Sequence, residues 1–146
     1  MIAKPIRVVF DTNVLVVAAR SHDGASFALV SSIPAAAEFQ LCLSVGLYVE
    51  WQAVLTRKDN LPPGRTENDA LGFLRYLANQ AHLQEIHFLW RPFLPDADDD
   101  MILELAFAAS CRYIVTHNVK DFHGSEELGV TAITPRDFLN LIRSKS

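Results

Sequence analysis

Short apolar segments alternate along the chain with longer segments of helical period, and this alternation limits the possible folds more than any other feature. Residues 6–10, 41–43, 113–116 and 130–133 are apolar runs bounded by polar or turn residues, which predicts short buried strands. The segments between them carry apolar residues at offsets of three and four. Strands that alternate with helices form βαβ units. We therefore predict an α/β fold around a central parallel sheet.

Length and composition set the size of the domain and limit its partners. The 146 residues are 50% hydrophobic, which suffices for one compact core, so we expect a single domain over residues 1–146. No run approaches the roughly 18 to 20 apolar residues of a membrane-spanning helix, and the N-terminus lacks a signal-peptide pattern. We therefore expect a cytoplasmic protein without membrane contact. The net charge of -4 argues against a broadly basic nucleic-acid-binding surface.

Acidic side chains occur where an open parallel sheet usually places its ligands, beyond the carboxyl ends of the strands. Asp11 follows the first strand, Asn118 and Asp121 follow a later one, and an acidic run at 96–100 opens an apolar helix. Glu50 lies on another helix. Carboxylates are preferred ligands of Mg²⁺ and Mn²⁺, and several of them without basic partners would repel one another. A divalent cation is the simplest explanation for this arrangement.

Each of these signals also has an ordinary structural explanation. Asp11 would serve as a helix cap, and the acidic run would be favoured by the helix dipole. Asn118 and Asp121 are typical turn residues, and a single Glu50 on a helix is uninformative. Only their combination points to a site.

The cysteines and histidines show no metal-ligand spacing. Cys42 and Cys111 lie in apolar segments, which predicts buried free thiols. Among the five histidines only His117 lies within a candidate site segment. Nothing in the sequence decides whether it contacts a phosphate or points to solvent.

Five segments taken in order carry a family resemblance. They are VVFDTNVLV, LYVEWQAVL, DADDDMILELAFAA, YIVTHNVKDF and GVTAITPRDFL. Together they resemble the PIN-domain nucleases, in the branch of VapC-like toxins, and they span essentially the whole chain. The resemblance implies a three-layer α/β/α, Rossmann-like fold that cleaves single-stranded RNA with one or two Mg²⁺ or Mn²⁺ ions. It also implies a homodimer and a cognate antitoxin that covers the acidic pocket.

The resemblance assigns the acidic residues one by one. Asp11 resembles the first metal-binding aspartate of the family, and Glu50 resembles its helix-borne acid. The third acid is Asp99 or Asp100. Asp99 has apolar residues at offsets of three, four and seven, as in the family pattern, whereas Asp100 fits better when counted back from Thr116. Asp99 is the favoured assignment.

The chain departs from the family pattern at the fourth acid. The position two beyond Thr116 is often aspartate in the family and is Asn118 here, so the fourth acid is replaced or is supplied by Asp121. This departure weakens the case for a tightly held second metal. The expected catalytic residues are Asp11, Glu50, Asp99 and Asp121. The expected metal ligands are Asp11, Glu50, Asp99 and Asp100, supported by Thr12, Asn13, Thr116 and Asn118.

The sequence thus favours a metal-dependent endoribonuclease that acts as the toxin of a type II toxin–antitoxin pair. The alternative is a catalytically weak PIN-like module that binds RNA or protein. An aspartyl-phosphate phosphohydrolase would need a second aspartate two positions after Asp11, where this chain has Asn13. The helices between residues 45 and 81 carry apolar side chains that fit either a partner surface or the core.

Overall fold

A five-stranded parallel sheet forms the centre of the computed structural model, which describes residues 5–33, 38–86 and 92–144. Within these residues the strands stand in the order β3-β2-β1-β4-β5. They are β1 (Ile6–Phe10), β2 (Phe39–Leu43), β3 (His82–Leu83), β4 (Tyr113–Val115) and β5 (Thr131–Ile133). The predicted parallel sheet is therefore confirmed.

β1 occupies the middle of the sheet, between β2 and β4. Its last three residues, Val8, Val9 and Phe10, are fully buried. Val8 is in register with Leu41 of β2 on one side and with Tyr113 of β4 on the other. The chain adds β2 and β3 on one side of β1, then β4 and β5 on the other. The direction of winding thus reverses between β1 and β4, which opens a crevice at their carboxyl ends.

Six α-helices are seen in the described residues. They are α1 (Thr12–Arg20), α2 (Ala25–Ser32), α3 (Val45–Leu55), α4 (Glu67–Gln80), α5 (Ala97–Ala108) and α6 (Pro135–Arg143). Short 3-10 helices cover Lys58–Asn60, Val119–Phe122 and Ser125–Leu128. The helices and the sheet form a three-layer α/β/α domain.

Local sequence signals explain where most helices begin. The Ser44 side chain accepts a hydrogen bond from the backbone N–H of Leu47 at the start of α3. Thr66 and Asp69 form a reciprocal capping box at the start of α4. Thr134 caps α6, whose first residue is proline. Gly24 is the N-cap of α2, which begins one residue before Ser26, so the Ser26 hydroxyl is available for a tertiary contact.

The core fills both faces of the sheet. Phe39 and Phe138 of α6 pack edge to face at 5.5 Å between ring centroids, and Phe10 lies 5.9 Å from Phe39. On α5, Ile102 and Leu103 are fully buried. Both cysteines are buried free thiols, as predicted. Over the described ranges no helix is long and apolar enough to cross a membrane.

Candidate active site

Asp11 lies at the reversal point of the sheet. Its backbone amide bonds to the carbonyl of Val115 at the end of β4, at 2.9 Å, which fixes it in the crevice. The carboxylate makes no capping hydrogen bond to α1. Instead Oδ2 accepts hydrogen bonds from the Thr116 hydroxyl at 2.8 Å and the Asn13 amide at 3.3 Å. Helix capping therefore does not account for the side chain of Asp11.

Burial makes ionisation of Asp11 costly. Its side chain is 8% exposed. This burial raises the pKa of Asp11, and the charge of Asp121 adds to the rise. Hydrogen bonds from the Thr116 hydroxyl and from the backbone N–H groups of Thr12 and Asn13 lower the pKa and so oppose it. Hydrogen bonds from these polar groups thus hold the carboxylate in place.

A polar network joins the residues that follow β1 and β4. The Asn13 amide group donates to Thr116 Oγ1 at 3.4 Å, and Asn13 Oδ1 accepts the backbone N–H of His117 at 3.2 Å. Thr116 Oγ1 also accepts the backbone N–H of Asn118 at 3.0 Å. Thr116 is fully buried. Asn13 and Thr116 thus orient Asp11, as the sequence suggested, while Asn118 joins the network through its backbone.

Glu50 faces the same crevice from α3. Its Oε2 accepts a hydrogen bond of 2.5 Å from the Thr12 hydroxyl, which follows Asp11 in the chain. Burial raises the pKa of Glu50, and so do the charges of Asp98, Asp11 and Asp96, against the effect of Thr12. A surface position pointing to solvent is therefore excluded for Glu50.

The start of α5 supplies the next carboxylates. Asp96 caps the helix, because its Oδ1 accepts hydrogen bonds from the backbone N–H groups of Asp98 and Asp99, at 2.8 and 3.2 Å. Burial raises the pKa of Asp99 to about 6, and the charges of Asp96, Asp11, Asp121 and Asp98 act in the same direction. Asp99 therefore belongs to the same electrostatic cluster as Asp11.

Asp100, the alternative third acid, has a different role. Its Oδ1 accepts the backbone amides of Phe93 and Leu94, both at 2.9 Å, and its side chain is 7% exposed. Burial raises the pKa of Glu104 one turn further along α5, and the charge of Asp100 adds to the rise. Asp100 thus anchors the loop that precedes α5 through Oδ1, and its assignment as a metal ligand stays a prediction.

Asp121 completes the cluster from the 3-10 helix that follows β4. The side chain is exposed, and its charge raises the pKa of both Asp11 and Asp99. Asp11 thus connects the other three carboxylates: its charge acts on Glu50 and Asp99, and the charge of Asp121 acts on Asp11 and Asp99.

Two further acids, Asp96 and Asp98, belong to this neighbourhood although they were not among the expected site residues. The signal was present in the acidic run, but helical periodicity cannot show which members of a run act on Glu50. That information comes from the way α3 and α5 approach each other.

The donor set fits a hydrated divalent cation. In the part of the chain that the structure describes, none of Asp11, Glu50, Asp99 and Asp121 forms an ion pair with lysine or arginine. No three His, Cys, Asp or Glu side chains of the described residues are placed to enclose one ion by themselves. Mg²⁺ commonly keeps several waters and uses only one or two protein carboxylates. The cluster therefore suits an ion bound by few direct ligands.

His117 lies beside this cluster. Its Nε2 is 2.8 Å from Oγ of Ser26, and burial lowers the pKa of the ring while the charge of Asp11 opposes that shift. The sequence left the position of the ring undecided, and the structure shows that it bonds to α2.

The crevice and its carboxylates define the chain as an α/β domain with an acidic site at the switch point of a parallel sheet. The sequence model of the PIN domain family matches residues 7–120, which is more than half of the chain, and the chain belongs to this family. PIN domains are in general nucleases, enzymes that hydrolyse phosphodiester bonds of nucleic acids. A search of curated proteins found no match.

Proposed function

We propose that the chain is a metal-dependent endoribonuclease that cleaves single-stranded RNA in the cytoplasm as the toxin of a type II toxin–antitoxin pair. The observation that carries the proposal is the convergence of Asp11, Glu50, Asp99 and Asp121 without basic partners. Mutually repelling carboxylates are costly to keep ionised, and a bound Mg²⁺ or Mn²⁺ would relieve that cost.

Each acidic residue has a distinct proposed part. Asp11 and Asp99 hold the cation directly, and Glu50 and Asp121 act on a second or water-mediated position. When bound, the cation lowers the pKa of a water molecule and offsets negative charge that develops at the phosphate. Thr116 and Asn13 orient Asp11, and the Thr12 hydroxyl orients Glu50. This mechanism needs no nucleophilic side chain, because water is the nucleophile.

The toxin assignment, the antitoxin and the homodimer are supported by the resemblance to VapC-like toxins. Exposed apolar side chains on α3 and α4 also suit protein contacts: Val45 is 81% exposed, and Phe73 and Tyr76 are each nearly half exposed. An antitoxin that covers the site would place a basic side chain among its carboxylates.

A catalytically weak PIN-like module is the second candidate, and one feature favours it. Asn118 stands where the family often has aspartate, and the exposed Asp121 is the nearest acid to replace it. A module of this kind would bind RNA without cutting it.

The test is cleavage of single-stranded RNA in Mg²⁺, Mn²⁺ or EDTA, with single-stranded DNA and a phosphatase substrate assayed in parallel. Wild type should cut only RNA and only with the metal. Asp11→Asn should lower kcat by at least about 100-fold, since loss of one electrostatic contact in a reacting site commonly costs 10²–10³. Circular dichroism should show an unchanged fold.

Asp23→Asn provides the control for Asp11→Asn, because Asp23 is an exposed acid in the turn before α2. Its activity should equal that of wild type. Full activity in Asp11→Asn, or cleavage that persists in EDTA, would contradict the proposed function. RNA binding without cleavage in wild type would favour the module.

A further inference from the structure

His117 borders the acidic cluster without belonging to it. It follows Thr116, whose hydroxyl binds Asp11, and its own backbone N–H binds Asn13. Asp11 acts electrostatically on its ring, and the residue is exposed. The ring therefore stands at the rim of the crevice, within reach of a ligand that enters it.

Ser26 fixes the direction of this ring. Its side chain is 2% exposed, in the first turn of α2, and its Oγ lies 2.8 Å from Nε2 of His117. The hydroxyl accepts a hydrogen bond from Nε2 in one neutral tautomer of the ring and donates to Nε2 in the other. The bond engages one ring nitrogen, and within the described ranges Nδ1 forms no hydrogen bond. Nδ1 is thus the polar atom of His117 that remains for a ligand.

The residues around His117 are negatively charged, and this charge affects how an RNA strand can bind beside Nδ1. The charges that raise the pKa values of Asp11, Glu50 and Asp99 all come from other carboxylates. An RNA strand carries one negative charge per nucleotide, so this rim repels it wherever a cation does not intervene. A hydrogen-bonding group without negative charge would offset part of that repulsion.

We propose that His117 binds the sugar-phosphate backbone of the RNA strand beside the cleaved bond, with Nδ1 as the contacting atom and Ser26 as the residue that positions the ring. The proposal rests on the nuclease function, since it names a contact of the same site. The RNA next to the scissile phosphate would then lie on the α2 side of the crevice.

Steady-state cleavage of a short single-stranded RNA tests the contact. His117→Ala should raise KM by roughly three- to tenfold, the range expected for one lost hydrogen bond, and leave kcat within about twofold. His117→Gln retains a donor and should recover part of the loss. Ser26→Ala should raise KM in the same direction by a smaller factor, and Ser26→Thr should restore it because the hydroxyl returns.

Ser31→Ala is the matched control for Ser26→Ala. Ser31 lies on the same helix, and its hydroxyl bonds only to carbonyl groups of that helix. Its KM should equal that of wild type. If His117→Ala leaves KM unchanged, or if Ser31→Ala raises KM as much as Ser26→Ala does, the contact is refuted.

A binding measurement separates this proposal from the nuclease function. The same RNA is titrated in EDTA while the ring signals of ¹⁵N-labelled histidines are followed by NMR. The His117 signals should shift in wild type, and the affinity should fall in His117→Ala. If wild type binds RNA without cutting it in Mg²⁺ or Mn²⁺, the nuclease proposal fails while the His117 contact is judged by binding alone. His117 signals that stay unshifted as RNA binds would overturn the contact.

Discussion

Asp99 shows at the scale of one residue how the cluster makes the metal-free protein sensitive to pH. Its pKa rises from 3.8 to about 6 in the folded chain, mainly through burial and then through neighbouring carboxylates. The folded state therefore holds this proton more tightly than the unfolded state does. The resulting stabilisation is complete below the unfolded pKa and is lost as the pH rises through about 6. The pKa shifts of Asp11 and Glu50 have the same sign.

We predict that, in EDTA, Asp99→Asn gains stability relative to wild type as the pH rises from about 4 to about 7. The asparagine carries no charge at either pH, so it avoids the repulsion that wild type meets when Asp99 ionises. Urea denaturation at a series of pH values measures the difference in free energy of unfolding between the two proteins. Asp23→Asn, which removes an exposed acid outside the cluster, is the matched control. A constant difference for Asp99→Asn would show that Asp99 is not in the cluster.

The start of α5 shows at the scale of an element how two adjacent acids acquire different roles. Asp99 faces the crevice, whereas Asp100 accepts the amides of Phe93 and Leu94. One carboxylate thus serves the site, and its neighbour holds the loop that leads into the helix. Asp96, the N-cap of α5, comes two residues after Leu94. The bonds from Phe93 and Leu94 to Asp100 therefore also keep the acidic run at the start of α5 in position.

Substitutions at the two positions should separate these roles. Asp100→Ala should lower the free energy of unfolding by about 1–3 kcal/mol, because the backbone amides of Phe93 and Leu94 lose their acceptor. Asp100→Asn keeps an acceptor oxygen and should lose less stability while retaining most RNA cleavage. Asp99→Asn should keep its stability and lose cleavage by about 100-fold or more. Equal losses of cleavage in Asp99→Asn and Asp100→Asn would contradict the assignment.

At the scale of the whole molecule, the acidic cluster links folding to metal binding. Only the folded chain brings Asp11, Glu50, Asp99 and Asp121 together, so an ion that binds them stabilises the folded state by mass action. At 100 times its Kd the ion would contribute about 2.7 kcal/mol, which for a chain of this size is a rise in Tm of several degrees.

Thermal unfolding with increasing Mg²⁺ or Mn²⁺ checks this linkage. Wild type should show a rising Tm that EDTA reverses. Asp11→Asn should show a higher metal-free Tm, since one buried charge is gone, and little further rise with the metal. A metal-induced rise of the same size in Asp11→Asn would mean that the ion binds elsewhere.

Much of the fold could be predicted because its signals are local. The alternation of apolar runs and helical periods predicted β1, β2, β4 and β5. β3 was missed because two residues carry no pattern of their own, and this strand exists through its pairing of His82 with Cys42. The family resemblance, together with the position of Asp11 after β1, predicted the acidic residues of the site.

The sequence by itself determined which residue types lie at the carboxyl ends of the strands and at the starts of the helices. It did so because period, turn and capping preferences act over a few residues. The tertiary structure alone decided that Asp100 turns to the loop, that Asp98 acts on Glu50, and that Ser26 meets His117 across 91 positions of the chain. Such contacts depend on strand order and helix packing, which bring together side chains that no local pattern relates.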